Sequence, residues 1–340
     1  MRGTLETAAQ RAWAGRTPGD RALRAALVPA ALAYGAAVAV RNTLYDAGWL
    51  RARRVPARVV SVGNITVGGT GKTPAALWLA ERLTARGRRT AIVTRGYRKR
   101  ARGIVIVGDA GRALVDAEEG GDEPVMLARR FAGPVVAGAR RYEAARFACT
   151  RFALDAIVLD DGFQHRALAR DADLVLVADD VAAAWPLPAG PLRETAQALG
   201  RARAVLAVDG APAPAGAPVF RGRVRPTALV EAGTWRVAAL EALAGRPVLA
   251  VAGIAHPSRF GATLARAGIA AADILAFPDH HRYDAGDARR IIEAARGRPV
   301  VTTEKDLVKL ERLAVPDLHA LRIALEVDDE DALVALLLGG

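Results

Sequence analysis

The chain has 340 residues, 52% hydrophobic and 25% charged, enough apolar material for two domains or one large one and too much for wholesale disorder. Lysine and arginine (48) outnumber aspartate and glutamate (36), and the net charge of +12 suits a nucleic acid, an anionic membrane surface or a phosphorylated substrate. A single cysteine, Cys149, excludes an internal disulfide framework and a cysteine-based zinc site, and five histidines without close ligand spacing argue against zinc altogether. Cys149 reads as a buried, inert thiol on a helix face. The adjacent His280 and His281 point apart on any regular backbone. Only four basic residues are lysines: Lys72, Lys99, Lys305 and Lys309.

Residues 1–60 carry ten arginines against three acids, more than half of the net charge. Within them Ala25 to Val40 runs sixteen residues without charge. As a helix this run is ~24 Å long, short of a ~30 Å hydrocarbon core. A secretory signal, a membrane span and an ordinary core helix are the alternatives. The favoured reading is a helix lying in a membrane interface or tucked partly against the protein, and the flanking arginines with Trp13, Tyr34, Tyr45 and Trp49, which suit a headgroup boundary, favour a membrane surface. The expected membrane-associated segment is 1–48.

The body alternates strands and helices. Val59–Val62 and Thr90–Val93 predict strands around a helix from Pro74 to Arg86. Ala156–Leu159, Asp173–Val177 and Ala204–Val208 predict three further strands. These apolar runs lack polar alternation, so they point to a parallel sheet covered on both faces. A Pro/Gly-rich stretch at 210–220 predicts a linker near 210–235, between a first domain at 49–225 and a second at 226–340. The second has strands at Pro247–Val251, Ala272–Ala276, Pro299–Thr303 and Leu321–Val327, and helices near Ser258–Ala267, Ala285–Ala295 and Asp329–Leu338. The expected fold is α/β: a P-loop NTPase-like parallel-sheet domain, a second, smaller α/β domain and an N-terminal membrane-associated helix.

Between the first strand and helix lies Thr66-Val67-Gly68-Gly69-Thr70-Gly71-Lys72-Thr73. It matches the phosphate loop G-x-x-x-x-G-K-[ST], except that Thr66 holds the first glycine's place. Gly68, Gly69 and Gly71 let backbone N–H groups face phosphate oxygens. Lys72 reaches the β- and γ-phosphates, and the Thr73 hydroxyl binds Mg²⁺. Asp160 and Asp161, delivered by an apolar strand, are the Walker B-type metal acids.

With these residues in place the sequence resembles the tetraacyldisaccharide 4′-kinase family over about residues 20 to 330. The resemblance is carried by the phosphate loop within Val62–Pro74, Thr94-Arg95-Gly96-Tyr97, Gly121-Asp122-Glu123-Pro124, Leu159–His165, Leu187–Glu194, Phe277–Tyr283 and Thr302–Asp306. Thr195 departs from it where proline is expected. The resemblance implies transfer of the ATP γ-phosphoryl to the 4′-hydroxyl of an acylated glucosamine disaccharide 1-phosphate, giving lipid IV-A in lipid A biosynthesis. It implies ATP and Mg²⁺ as cofactors. It also implies a peripheral or monotopic place on the cytoplasmic face of the bacterial inner membrane. It pairs Asp122, the expected proton acceptor, with His280, and adds Glu123 to the metal candidates. Because the pair is 158 residues apart, it is expected to need the second domain to close over the first.

Arg95 and Arg193 are the arginines expected to grip phosphate. Tyr97, Gln164 and His165 are expected near substrate, and part of the basic turn Arg95, Arg98, Lys99, Arg100 and Arg102 is expected to face nucleotide or lipid head. Lys305 meets the nucleotide base or caps a helix. The alternative is a P-loop nucleotide switch or a transport or chaperone ATPase at the membrane, but the guanine-reading Asn-Lys-x-Asp is missing from the sequence. A nucleic-acid partner is not expected, since aromatics are only 5% and the excess charge clusters around the N-terminal apolar run.

Overall fold

The computed structural model describes residues 9, 11–13, 15–97 and 99–339. Arg98 of the basic turn, and residues 1–8, 10 and 14 of the N-terminal segment, lie outside them. In chain order the elements are α1 (Pro18–Asp46), β1 (Arg58–Asn64), α2 (Lys72–Ala85), β2 (Thr90–Thr94), β3 (Val105–Asp109), β4 (Arg112–Ala113), α3 (Ala117–Gly120) and α4 (Asp122–Arg130). Next come β5 (Val135–Ala137), α5 (Arg141–Phe152), β6 (Ala156–Asp160), β7 (Ala172–Val177), β8 (Ala204–Val208), β9 (Val219–Glu231) and β10 (Val237–Ala238). The last are β11 (Val248–Ala252), α6 (Pro257–Arg266), β12 (Ala271–Ala276), α7 (Ala285–Ala295), β13 (Val300–Thr303), α8 (Glu304–Leu310), β14 (Leu318–Val327) and α9 (Glu330–Leu338).

Two compact units form. One comprises Met1–Val93, Arg140–Arg223 and Val327–Gly340; the other comprises Thr94–Ala139 and Val224–Glu326. This division differs from a single break near 225. Residues 94–139 join the later segment because α4 packs on β3, β5 and α8, and because Arg130 meets the buried Glu304 at 3.1 Å. The expected linker is, from Val219 to Glu231, a strand. There Arg221, Arg223 and Arg225 face solvent and alternate with the more buried Gly222, Val224 and Pro226, the period of two that a strand requires.

In the first unit β1 pairs in parallel with β6 and β7, β2 with β6, and β8 with β7 and the start of β9. These strands are almost wholly buried, as their unbroken apolar runs require. Helix α2 covers β1 and β6, and α9 packs on β7 and β8. In the second unit β11 pairs in parallel with β12 and β13, and β13 with β14, while β3 pairs antiparallel with β4 and β5. Its core includes Leu249, Val251, Phe277, Ile291 and Leu307. Strand β12 is mostly exposed, so the buried strand expected there is an edge.

Helix α1 is longer than the uncharged run, 29 residues or ~43 Å. It begins at a capping box, in which Thr17 and Asp20 exchange side-chain-to-backbone hydrogen bonds, with Pro18 in the first turn. It is apolar and long enough to cross a bilayer. Of the four aromatics read as a headgroup belt, two are used otherwise: Trp13 Nε1 donates to Pro188 O (2.8 Å) and Tyr34 Oη to Arg193 O (3.0 Å). The Arg166 guanidinium covers the Tyr45 ring, 5.2 Å from its centre, and Trp49 alone of the four is exposed, at 81%. Cys149 on α5 is half-buried rather than buried, and burial pushes its thiol pKa up.

Candidate active site

In the first unit the phosphate loop is built from the end of β1. Asn64 Nδ2 donates to the hydroxyls of Thr66 (3.2 Å) and Thr70 (2.8 Å), so threonine in the first glycine's place is held by its own side chain. Asn64 was not among the expected site residues; its signal is a polar residue ending a buried strand just before the loop. Gly71 caps α2 at φ 83°, a left-handed conformation open to glycine at little cost. A Cβ at Gly69 would meet nothing within 4 Å, leaving room for a phosphate against the loop. The loop is also gripped from outside: Val67 N–H donates to Pro191 O (2.8 Å) and Arg193 N–H to Ile65 O (2.7 Å).

Lys72 opens α2, with Nζ 3.3 Å from Gly68 O and 3.8 Å from Asp161 Oδ1. Asp160 ends β6, buried, and Asp161 follows at φ 54°. Arg193 NH1 reaches both Asp161 oxygens at 3.0 Å. Burial alone would raise the Asp161 pKa, but Lys72 and Arg193 outweigh it and the carboxyl is held below its ordinary value. Thr73, Asp160 and Asp161 are hard oxygen donors of the kind Mg²⁺ takes. Gln164 Nε2 donates to Asn64 O (2.9 Å), bracing the strand end, and His165 N–H donates to Gly162 O (2.9 Å). Thr195 has φ −63°, the value proline would impose, so the backbone there is one that proline could also adopt.

Helix α1 belongs to the same framework. Asn42 Nδ2 donates to Glu194 Oε2 at 2.6 Å, and Arg201 pairs with that buried carboxylate at 3.0 Å. Glu194 neighbours Arg193, so the segment that touches Asp161 is bolted to the helix.

The second unit holds the other cluster. Asp122 is the first residue of α4, 7% exposed, and His280 Nδ1 lies 3.0 Å from its Oδ2. Both residues are in this one unit, so the pair needs no domain closure, contrary to expectation. Lys305 Nζ is 3.2 Å from His280 Nε2. An ammonium only donates, so Nε2 accepts and the ring proton sits on Nδ1, aimed at Asp122. Burial would raise the Asp122 pKa, but the His280 hydrogen bond and the charges of Lys305 and Lys309 bring it down to about 2.

Lys305 also meets Asp279 (3.2 Å) and Glu123 (3.4 Å). Burial pulls its pKa down, but Glu123, Asp122 and Asp279 more than offset this and hold it above the ordinary value. The cap of α8 is Thr303, so Lys305 does not cap that helix. Tyr97 sets its ring edge against His280, with centroids 5.2 Å apart. Arg95 is exposed just past β2. In the basic turn Lys99 Nζ bonds the turn's own carbonyls, Ala101 O and Gly103 O, and Arg100 pairs with Glu118, so these two serve the turn itself. His281 turns away from its neighbour to Asp287, at 2.7 Å.

The phosphate loop with its paired carboxylates fits nucleotide phosphates, and Asp122 fits a proton acceptor. The sequence profile of the tetraacyldisaccharide-1-P 4′-kinase family matches residues 23–339. The chain belongs to this family. The tetraacyldisaccharide 4′-kinase of Anaeromyxobacter dehalogenans (strain 2CP-C) is 45% identical over 307 residues, covering 84% of this chain and 81% of the relative. That of Syntrophus aciditrophicus (strain SB) is 41% identical over 318 residues, covering 84% of each. Among solved structures, LpxK from Aquifex aeolicus in complex with ATP matches with a TM-score of 0.81 at 32% identity, over 93% of this chain and 99% of that one. The 4′-kinase reading therefore stands, and a switch or transport ATPase is not favoured.

Proposed function

We propose that this 4′-kinase transfers the γ-phosphoryl of ATP to the 4′-hydroxyl of tetraacyldisaccharide 1-phosphate, giving lipid IV-A for lipid A biosynthesis. In this reading Gly68 to Lys72, with Thr66 and Thr70 braced by Asn64, hold the ATP phosphates. Arg193 and Arg95 add guanidinium charge toward phosphate. Mg²⁺ would neutralise charge on the β- and γ-phosphates, with Thr73 and Asp160 or Asp161 as its ligands in the first unit and Glu123 the candidate in the second.

Asp122 accepts the proton as the sugar oxygen attacks phosphorus and the γ-phosphate leaves ADP. A carboxylate of low pKa suffices, because in a loose transition state the O–P bond forms late and the proton leaves an oxygen that is by then strongly acidic. His280 holds the accepting carboxylate in place. Tyr97, Gln164 and His165 border substrate.

We place the enzyme on the cytoplasmic face of the inner membrane as a peripheral or monotopic protein. Helix α1 supports this: Leu32 and Val40 are each 59% exposed, yet Tyr34 and Asn42 tie its other side to the protein. The arginine surplus is assigned to an anionic membrane surface, and no nucleic-acid partner is invoked. The observation that carries the reading is the Asp122–His280 hydrogen bond in a chain matched by the kinase family over nearly its whole length. Its test is radiolabel transfer from γ-labelled ATP to the lipid disaccharide in detergent micelles. Asp122→Ala is expected to cut transfer to a small residual rate while leaving ATP binding near normal, and normal turnover by that variant would remove Asp122 from the mechanism.

A further inference from the structure

Lys309 and Asp306 complete a closed circuit around the Asp122–His280 pair. Lys309 Nζ lies 2.8 Å from Asp306 Oδ1 and 3.6 Å from Asp122 Oδ2. Asp306, fully buried, accepts on Oδ2 the Gly253 N–H and the Thr303 hydroxyl, each at 2.9 Å. Gly253 in turn accepts the His280 N–H on its carbonyl at 3.2 Å, and His280 returns to Asp122 through Nδ1. His280 needs such a hold, because its backbone is left-handed at φ 57°. The Lys309 ammonium also lies 5.1 Å from the centre of the Tyr283 ring.

A lysine three residues after an aspartate in a helix is ordinarily a local pair. Here the same ammonium, on a side chain only 12% exposed, also faces a carboxylate from another helix. We propose that Lys309, anchored by Asp306, is a positioning residue for the reaction: it fixes the Asp122 carboxylate while Asp306 fixes the backbone that presents His280. The proposal rests on Asp122 being the proton acceptor.

The test uses the full-length enzyme in micelles with ATP and the lipid disaccharide. Lys309→Met keeps the length of the side chain and removes the charge; it is expected to lower kcat about tenfold or more, the scale of one charged contact, with KM for ATP within about twofold. In an Asp122→Ala background the same substitution is expected to change residual turnover less than about twofold, since coupled residues are not additive. Lys309→Gln, with melting curves for all variants, serves if the methionine variant does not fold. A kcat within about twofold of the parent, or equal losses with and without Asp122, would overturn the proposal. If Asp122→Ala alone kept normal turnover, the proton-acceptor reading would fall, and this proposal with it.

Discussion

Removing the His280 imidazole tests how the site prepares its carboxylate. His280→Ala deletes the 3.0 Å hydrogen bond to Asp122 but leaves Lys309 at 3.6 Å from the same oxygen. A hydrogen bond to a charged group contributes ~1.5–3 kcal/mol, so if it is fully used in the transition state kcat falls ~10–150-fold. KM for ATP is expected to stay near the parent value, because the phosphate loop lies in the other unit. The pH profile adds a signed test. The Asp122 pKa is held at about 2, and after burial, which raises it, the His280 hydrogen bond is the first of the opposing causes. Without it the carboxyl titrates higher, so activity of the variant is lost at a higher pH as acid is added, while the parent keeps its base ionised further down. Steady-state kinetics from about pH 4 to 8, with lipid and ATP varied in turn, read both effects. An unchanged kcat, or a loss confined to KM for ATP, would refute the reasoning.

Three other outcomes follow from the same contacts. Glu304→Ala strips the buried carboxylate from Arg130 (3.1 Å) and Arg322 (2.8 Å), and breaking such a pair costs ~3–5 kcal/mol. Arg130 keeps Ile323 O at 2.7 Å, so the lower end is expected in urea unfolding, and a loss below ~1 kcal/mol would contradict it. Leu32→Asp with Val40→Asp is expected to reduce pelleting with anionic vesicles without changing the melting temperature; undiminished pelleting counts against α1 as the membrane surface. Asn64→Ala leaves the Thr66 and Thr70 hydroxyls without their shared donor, and a several-fold rise in KM for ATP is expected, whereas an unchanged KM would show that the loop holds its shape without Asn64.

Short-range features were legible in the sequence for a physical reason. Buried parallel strands leave unbroken apolar runs, and the phosphate loop needs glycines and a lysine at fixed spacing, so β1, the loop and the start of α2 could be read directly. Strand β9 was hidden because the Pro/Gly signal at 210–220 runs directly into the alternation of Arg221, Arg223 and Arg225 and reads as a break in the chain. The region from β3 to β5 was not assigned because two- and three-residue strands carry no period. The Asp122–His280 pairing came only from family resemblance, since no local pattern encodes contact across 158 residues. Scarcity singled out Lys305 and Lys309, but their partners Glu123, Asp279 and Asp122 emerge only when distant segments fold into one unit. Trp13 and Tyr34 misled because each has a polar handle as well as an apolar ring, and here the handles bind Pro188 and Arg193.

The central claim is that Asp122 takes the proton while the phosphate loop holds ATP. Its most direct measurement is γ-phosphoryl transfer to tetraacyldisaccharide 1-phosphate by Asp122→Ala beside the parent enzyme, with ATP affinity measured on the same samples. Labelled lipid is expected from the parent, almost none from the variant, and ATP affinities that agree within about twofold. Equal lipid labelling by the two, or no labelled lipid from folded, ATP-binding parent enzyme, would contradict it.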